Sequence, residues 1–322
     1  MPLLLLLLSA CRVEFGPAAE IAPMNVGEKA EVWVYTSMYQ HVLDAMDPIV
    51  AERLPGVTVR WFQSGSEKVA QRWEAEHEAG QSPACVVATS DPAWYVDLDT
   101  RGLLVPYVSP RAVTIDRAWV TPTWSTVRLS FMVLGAPPAG GPARFSDLAG
   151  PEWKDRFSSG DPLSSGTTFT TLAALDATYG WDFVQQLYTN GWMAAGGNSA
   201  VIARMESGER PVGIVLHENL LAKGLPATIP ADGAVAVPGP VAIPTDCRAK
   251  DAAKQVIDWL YTDEAQALIV AGAMYSPFPE LAPPTGGPPL AELPRFPTPP
   301  DFWTTTAAGA PALKERFRAL VR

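Results

Sequence analysis

The chain has 322 residues, a formal net charge of −10 at pH 7, and 48% hydrophobic against 18% charged residues. This length is enough for roughly two domains with sizeable hydrophobic cores. The acidic balance, together with the lack of any clustered stretch of Lys and Arg, excludes the nucleic-acid-binding class of proteins.

The first eleven residues have the pattern of a lipoprotein signal peptide. An apolar run from Leu3 to Leu8 is followed by the small residues Ser9 and Ala10 and then by Cys11. As a helix the run is only about 9 Å long at 1.5 Å per residue, against about 30 Å of membrane hydrocarbon. We therefore expect cleavage after residue 10, a lipid on Cys11 and a tether over residues 11–30, which predicts an exported protein, periplasmic or on the cell surface and anchored to a membrane.

Strands and helices alternate along the next part of the chain. Apolar runs predict strands over residues 31–35, 57–62 and 84–88, and 3.6-residue patterns predict helices over 40–54, 66–79 and 92–101. Alternating units of this length favour a parallel sheet with helices on both faces. Ligands of such sheets lie at the carboxyl ends of the strands, where Ser37 and Ser90 follow two of the predicted strands.

A second lobe is predicted in the middle of the chain. β-Branched and aromatic residues over 119–134 indicate long strands that cross into it, and segments 234–237 and 240–243 lead back. Between the two crossings we expect helices over 168–179, 181–188 and 199–207 and a strand over 211–216, and after them helices over 250–261 and 264–271. Prolines after Phe278 exclude regular structure until a last helix over 311–321. The predicted division is residues 31–122 plus 242–322 for lobe 1 and 123–241 for lobe 2, joined by two hinge crossings.

Two cysteines beyond Cys11 leave two alternatives open. Cys85 lies in an apolar predicted strand, where we expect a buried free thiol. Outside the cytosol a disulfide between Cys85 and Cys247 is the alternative.

Three loops rich in small polar residues precede predicted helices. They are Ser64-Gly65-Ser66-Glu67, Ser164-Ser165-Gly166-Thr167-Thr168 and Gly196-Gly197-Asn198-Ser199. Helix N-termini offer unpaired N–H groups and positive dipole ends, which suit an oxyanion. The same residue types are also the ordinary N-caps of any helix. One loop comes from lobe 1 and two from lobe 2, so together they predict an anion site between the lobes.

The order and spacing of several motifs resemble the family 1 extracellular solute-binding proteins of ABC importers. Within that family the chain is most similar to the branch of periplasmic ferric-iron-binding proteins and their relatives for phosphorylated or phosphonate solutes. The resemblance covers about Val32 to Pro279 and is carried by Val34-Tyr35-Thr36-Ser37, Asp161-Pro162-Leu163-Ser164-Ser165-Gly166-Thr167, Gly197-Asn198-Ser199-Ala200-Val201, Gly208-Glu209-Arg210-Pro211-Val212-Gly213-Ile214, Asp258-Trp259-Leu260 and Glu264-Ala265-Gln266.

The resemblance implies an α/β fold of the class II periplasmic-binding-protein type, in which two lobes with mixed sheets close around a solute. It implies a non-enzymatic monomer that needs no cofactor and delivers its solute to an ABC permease in the membrane. It also places Tyr39 in a loop that faces the cleft. Arg128, in the crossing strand, is expected either to pair with an oxyanion or to be an exposed strand residue. His217 is expected either to contact a ligand oxygen or to cap the end of the strand.

The likeness departs from the iron-binding members at one place. Those proteins carry two adjacent tyrosines after the strand that corresponds to Val212–Leu216, whereas this chain has His217 and Glu218 there. Phenolate oxygens are hard ligands that suit Fe(III). We therefore favour a small oxyanionic solute, a phosphorylated or phosphonate organic compound, over iron. The alternatives are a metal ion held by His217 and Glu218, and, in another class, a secreted hydrolase with Ser164 or Ser165 as nucleophile.

Overall fold

The computed structural model describes residues 29–138 and 140–322. The predicted signal peptide, Cys11 and all but the end of the tether lie outside these residues. No helix in the described part combines the length and the apolar character that crossing a membrane requires.

Lobe 1 is built from the first three βα units of the described chain. Its strands are β1 Ala30–Thr36, β2 Val57–Gln63 and β3 Ala84–Ala88, and its helices are α1 Gln40–Arg53, α2 Ser66–Glu78 and α3 Pro92–Thr100. The strands pair in parallel in the order β2-β1-β3. Helix α1 buries Val42, Leu43, Met46 and Val50, one apolar face at helical spacing. The predicted elements of this lobe are confirmed to within one or two residues.

Lobe 2 lies between two long strands. These are β4 Trp124–Gly135 and β9 Val235–Ala242, and between them the chain forms β5 Phe157–Ser159, α4 Gly166–Tyr179, α5 Trp181–Thr189, β6 Met193–Ala194, α6 Asn198–Ser207, β7 Val212–Leu216, α7 His217–Lys223 and β8 Ala227–Thr228. After β9 the chain forms α8 Lys250–Leu260, α9 Asp263–Ala271 and α10 Phe302–Leu320.

A single mixed sheet runs through both lobes in the order β2-β1-β3-β9-β4-β7-β5-β6, with β8 on β4. Strands β4 and β9 are antiparallel neighbours, and both extend from the lobe 1 strands to the lobe 2 strands. They are the two predicted hinge crossings. Their pairing shifts register between Thr126 and Arg128, so Val127 is an extra residue that forms a bulge in β4. The mixed two-lobed α/β fold is therefore confirmed.

Three predicted boundaries are wrong. The two segments predicted for the return crossing, 234–237 and 240–243, form one strand, β9. Its Pro238 and Pro240 do not interrupt it, because they lie opposite the bulged part of β4, where the ladder is irregular and the missing proline N–H groups are tolerated. Strand β4 begins at Trp124 rather than at residue 119, after a short 3-10 turn over Arg117–Trp119. The last helix begins at Phe302 rather than at Pro311.

Helix α10 contains Pro311 in its interior. Its Phe302, Leu313 and Phe317 join the hydrophobic core of lobe 2, and this burial outweighs the hydrogen bond that a helical proline removes. The helix packs on α3 of lobe 1 as well as on α4 of lobe 2. The division of the chain at residues 122 and 242 stays a prediction.

A disulfide joins Cys85 to Cys247, which are 162 residues apart in sequence. The expectation of a free thiol at Cys85 is therefore wrong, and the alternative holds. The bridge ties β3 to the segment that leaves β9. It thus fastens the exit of the second crossing to lobe 1.

Candidate functional site

A cavity of about 430 Å³ lies between the lobes, at the carboxyl ends of β1, β2 and β3. It is lined by Ser37, Tyr39, Gln63, Ser64, Gly65, Ser66, Ser90, Arg128, Ser164, Ser165, Gly166, Thr167, Gly197, Asn198, Ser199, Leu216 and Asn219. Most of these residues are Ser, Thr, Asn, Gln or Gly, whose hydroxyl, amide and backbone groups can hydrogen-bond a small polar molecule. The structure thus brings the three predicted loops together with Arg128 around one cavity.

The lobes touch each other at the edge of this cavity. A Cβ atom on Gly166 of lobe 2 would lie 3.0 Å from Ser66 Cβ, 3.1 Å from the Ser90 carbonyl oxygen and 3.2 Å from Asp91 Cβ, all of which belong to lobe 1. A Cβ on Gly65 would likewise lie 3.8 Å from the Ser164 carbonyl oxygen. We call this arrangement, with the lobes in contact at the cavity edge, the closed form; a glycine at position 166 allows the first turn of α4 to meet lobe 1.

Among the described residues that line the cavity, Arg128 is the one with a positively charged side chain. It is 3% exposed. Its guanidinium donates hydrogen bonds to serine hydroxyls: Nη2 to Ser90 Oγ at 2.5 Å and to Ser37 Oγ at 3.2 Å, and Nη1 to Ser130 Oγ at 3.2 Å. Burial lowers the pKa of Arg128, but a guanidinium is not deprotonated in proteins, so the group stays charged.

Arg128 directly follows the bulge in β4, a feature that can change the direction of the next side chain. Arg128 pairs with Gly239 of β9, where a Cβ atom would lie 2.7 Å from Arg128 Cγ. A side chain at position 239 would therefore collide with the stem of the arginine. The glycine of the Pro238-Gly239-Pro240 segment gives Arg128 room at the hinge.

Three helix N-termini open onto the same cavity. Helix α2 begins at Ser66, α4 at Gly166 and α6 at Asn198, and the helices are 13, 14 and 10 residues long. The N–H groups of each first turn have no acceptor inside their own helix and carry the positive end of its dipole. Ser165 caps α4 by accepting a hydrogen bond from the Thr168 N–H at 3.4 Å. These helix ends add positive potential to the charge of Arg128.

A buried carboxylate, Glu218, lies next to the cavity and is linked to Arg128 through Ser130. Glu218 Oε1 accepts a hydrogen bond from Ser130 Oγ at 2.6 Å, and the Tyr39 hydroxyl lies 3.5 Å from the same oxygen and 3.4 Å from Asn219 Oδ1. Burial raises the pKa of Glu218, whereas the hydrogen bond from Ser130 and the charge of Arg128 lower it. Burial also raises the pKa of Tyr39, so its phenol is neutral.

Two predicted residues do not line the cavity. Thr168 is buried in α4, where its hydroxyl bonds Ser165 Oγ at 3.1 Å. His217 is 2% exposed, and its ring stacks on Tyr275 with 6.1 Å between the centroids. Its pKa is lowered by burial, so the ring is neutral at neutral pH.

Three lining residues escaped the sequence analysis, namely Gln63, Leu216 and Asn219. Gln63 ends β2 and Leu216 ends β7, so both occupy the carboxyl-end positions that favour ligand contact. Asn219 follows β7 by three residues, in the first turn of α7. The position of all three at or just after a strand end could have identified them from the sequence.

The alternatives from the sequence find little support in the geometry. The described residues contain no group of three or more His, Cys, Asp or Glu side chains placed to hold a metal ion. The Ser164 hydroxyl lies 3.4 Å from Asp161 Oδ2, and the Ser165 hydroxyl bonds Thr167 and Thr168. Within residues 29–138 and 140–322 neither serine is hydrogen-bonded to a histidine that could act as its base.

A family model described as "Bacterial extracellular solute-binding protein" matches residues 30–272. The chain belongs to this family. An uncharacterized protein of Haemophilus influenzae is 26% identical over 274 residues, which are 76% of this chain and 76% of that protein. The matched range contains every residue of the cavity lining, so the solute-binding family and the cavity coincide.

Solved structures of periplasmic binding proteins share the fold. AfuA from Actinobacillus pleuropneumoniae, with exogenous fructose-6-phosphate bound, has a TM-score of 0.78 and 20% identity and covers 90% of this chain and 98% of its own. Iron-bound HitA from Pseudomonas aeruginosa has a TM-score of 0.76 and 19% identity, over 89% and 99%. The periplasmic binding protein P5PA has a TM-score of 0.77 and 19% identity, over 90% and 99%. These matches establish the class II periplasmic-binding-protein fold.

Proposed function

We propose that this solute-binding protein serves an ABC importer and captures a small organic oxyanion, a phosphorylated or phosphonate compound, by closing its two lobes. The observation that carries the proposal is the buried guanidinium of Arg128, which lines the cavity and has serine hydroxyls as its hydrogen-bond partners. Among the described residues Glu218 reaches the guanidinium through Ser130 and not by a direct bond. An oxyanion in the cavity can pair with Arg128 directly and accept its remaining N–H groups.

The convergence of helix N-termini supports the same class of solute. Ser66 begins α2 in lobe 1, and Gly166 and Asn198 begin α4 and α6 in lobe 2. An anion held by all three is contacted from both lobes at once. Such a solute binds the closed form better than the open one and shifts the equilibrium toward closure.

A thermal-shift panel tests this proposal. We expect phosphate esters or phosphonates to raise the unfolding temperature of the wild type by several degrees, and Arg128→Gln to abolish the shift. Neutral sugars are the control for binding without charge. Stabilisation by ferric salts with a charge-transfer colour, and none by any oxyanion, would overturn the proposal in favour of iron.

We further propose that the protein is exported as a monomer and anchored by a lipid on Cys11, so that it stays close to a membrane permease. The pattern from Leu3 to Cys11 supports this placement. Fractionation of cells that express the full chain tests it. The wild type is expected in the membrane fraction and Cys11→Ser outside it; equal distribution of the two would contradict the anchor.

A further inference from the structure

Two opposite charges are buried beside the cavity and linked by one hydroxyl. Arg128 donates to Ser130 Oγ at 3.2 Å, and Ser130 donates to Glu218 Oε1 at 2.6 Å. Arg128 is 3% exposed and Glu218 is 2% exposed. In the closed form the two charges offset each other through the serine.

A bound oxyanion disturbs this balance. When the solute neutralises Arg128, Glu218 loses its compensating charge and a net negative charge stays buried. The ionisable groups that face Glu218 are Arg128 from β4, Tyr39 from the loop before α1, and Tyr275 from the segment after α9, with His217 beside it in sequence. Both tyrosines and the histidine are neutral at neutral pH, because burial raises the pKa of each phenol and lowers that of the imidazole. Among these groups Arg128 is the one cation.

The cavity wall in front of Glu218 presents hydrogen-bond acceptors. Tyr39 and Asn219 both line the cavity. The Tyr39 hydroxyl has one proton, and two acceptors stand within 3.5 Å of it: Glu218 Oε1 and Asn219 Oδ1. Because that proton points toward one of these oxygens, the lone pairs of the phenol oxygen are free for a donor in the cavity. The electron-rich ring of Tyr39 also favours a cation.

We propose that the solute is a zwitterion, with a positively charged amine opposite its oxyanion, and that the amine lies against Tyr39 and Asn219 in front of Glu218. The inference rests on the proposed function, since it takes the oxyanion to be held at Arg128. The amine restores the positive charge that Glu218 loses when the oxyanion neutralises Arg128. The hydrogen-bond donors at Arg128 thus bind one end of the solute, and the acceptors at Tyr39 and Asn219 bind the other end.

A pair of probes of nearly equal size tests the charge of the solute. Ethyl phosphate and ethanolamine phosphate differ by the terminal amine, and isothermal titration gives the affinity of the full protein for each. We expect ethanolamine phosphate to bind at least tenfold more tightly to the wild type. In Glu218→Gln the advantage of the amine is expected to fall below threefold. The exposed carboxylate Glu206 supplies the matched control, since Glu206→Gln is expected to behave as the wild type.

The outcomes separate the two proposals. If neither probe nor any other oxyanion binds, the proposed function fails and the inference fails with it. If both phosphates bind with equal affinity, or if Glu218→Gln keeps the full advantage of the amine, only the inference is overturned. Uptake of one proton per ethyl phosphate bound, measured in buffers of different ionisation enthalpy, also overturns it, because Glu218 then balances the charge by protonation.

Tyr39→Phe keeps the test decisive if Glu218→Gln does not fold. This variant retains the ring and removes the hydroxyl oxygen that faces the cavity. We expect it to weaken ethanolamine phosphate more than ethyl phosphate. Equal weakening of the two probes would contradict an amine site at this wall.

Discussion

Gly166→Ala is expected to hinder closure of the lobes without harming either lobe alone. The new methyl group would lie 3.0, 3.1 and 3.2 Å from Ser66 Cβ, the Ser90 carbonyl oxygen and Asp91 Cβ. All three atoms lie on or next to the main chain of lobe 1, so none can turn aside as the end of a flexible side chain could. When the lobes move apart the methyl group is expected to meet none of them, and alanine favours the first turn of α4 more than glycine does.

Overpacking of this kind typically costs about 1–3 kcal/mol. The cost falls on the closed form alone, so it appears in full in the affinity for a solute that requires closure. At about 1.4 kcal/mol for each tenfold change, we expect solute binding to weaken roughly 5- to 150-fold.

The assay is isothermal titration with the phosphate ester that most stabilises the wild type in the thermal-shift panel, together with thermal unfolding of the solute-free variant. Gly309→Ala is the matched control, because Gly309 is also helical and a Cβ there meets nothing within 4 Å. Unchanged affinity in a well-folded Gly166→Ala variant would refute the claim that lobe closure brings these surfaces together around the solute.

Three further predictions concern stability. Cys85→Ser, or reduction of the bridge to Cys247, is expected to lower the free energy of unfolding by about 5 kcal/mol, since the bridge closes a loop of 162 residues; denaturant melts that coincide with and without reductant would contradict this. Burial, with a contribution from Glu67, raises the pKa of Asp91 from 3.8 to about 7, so the folded protein holds a proton that the unfolded chain releases. The free energy of unfolding should therefore fall as the pH rises from about 4 to 7, by on the order of 4 kcal/mol from this group at about 1.4 kcal/mol per pKa unit. Asp91→Asn can still cap α3 and should make the free energy of unfolding depend less on pH in melts across this range. Lys314→Met removes the Nζ that lies 2.8 Å from the buried carboxylate of Glu67. It is expected to lower the free energy of unfolding by about 3 kcal/mol in denaturant melts, and Glu67→Gln in the same chain should restore most of that loss. A double variant no more stable than Lys314→Met would contradict the pairing.

Local patterns were sufficient to predict most of the fold. The βα units of lobe 1 carry strong periodicity, and α1 and β3 begin and end where the sequence places them, to within a residue. The patterns failed where tertiary contacts decide the outcome. Helix α10 extends through Pro311 because Phe302 and Phe317 are buried in lobe 2, and no sequence pattern shows that a distant core will receive them. The pairing of Cys85 with Cys247 is likewise a matter of proximity in the fold.

Residues of the candidate site that carry a local signature could be predicted from the sequence, whereas those defined by contacts between distant residues could not. Helix-start loops have a local chemical signature, so Ser66, Gly166 and Asn198 could be named from the sequence. The role of Glu218 could not, because it depends on Ser130 as a bridge to Arg128, 88 and 90 residues away along the chain. His217 was predicted to contact a ligand because it follows a strand, but its ring faces Tyr275 instead of the cavity.

Native mass spectrometry of the protein purified from its native compartment, beside Arg128→Gln prepared in the same way, tests the central claim most directly. The account predicts that the wild type carries one small anionic organic molecule and that the variant is recovered empty. A ferric ion bound to the wild type, or the same neutral molecule bound to both proteins, would contradict it.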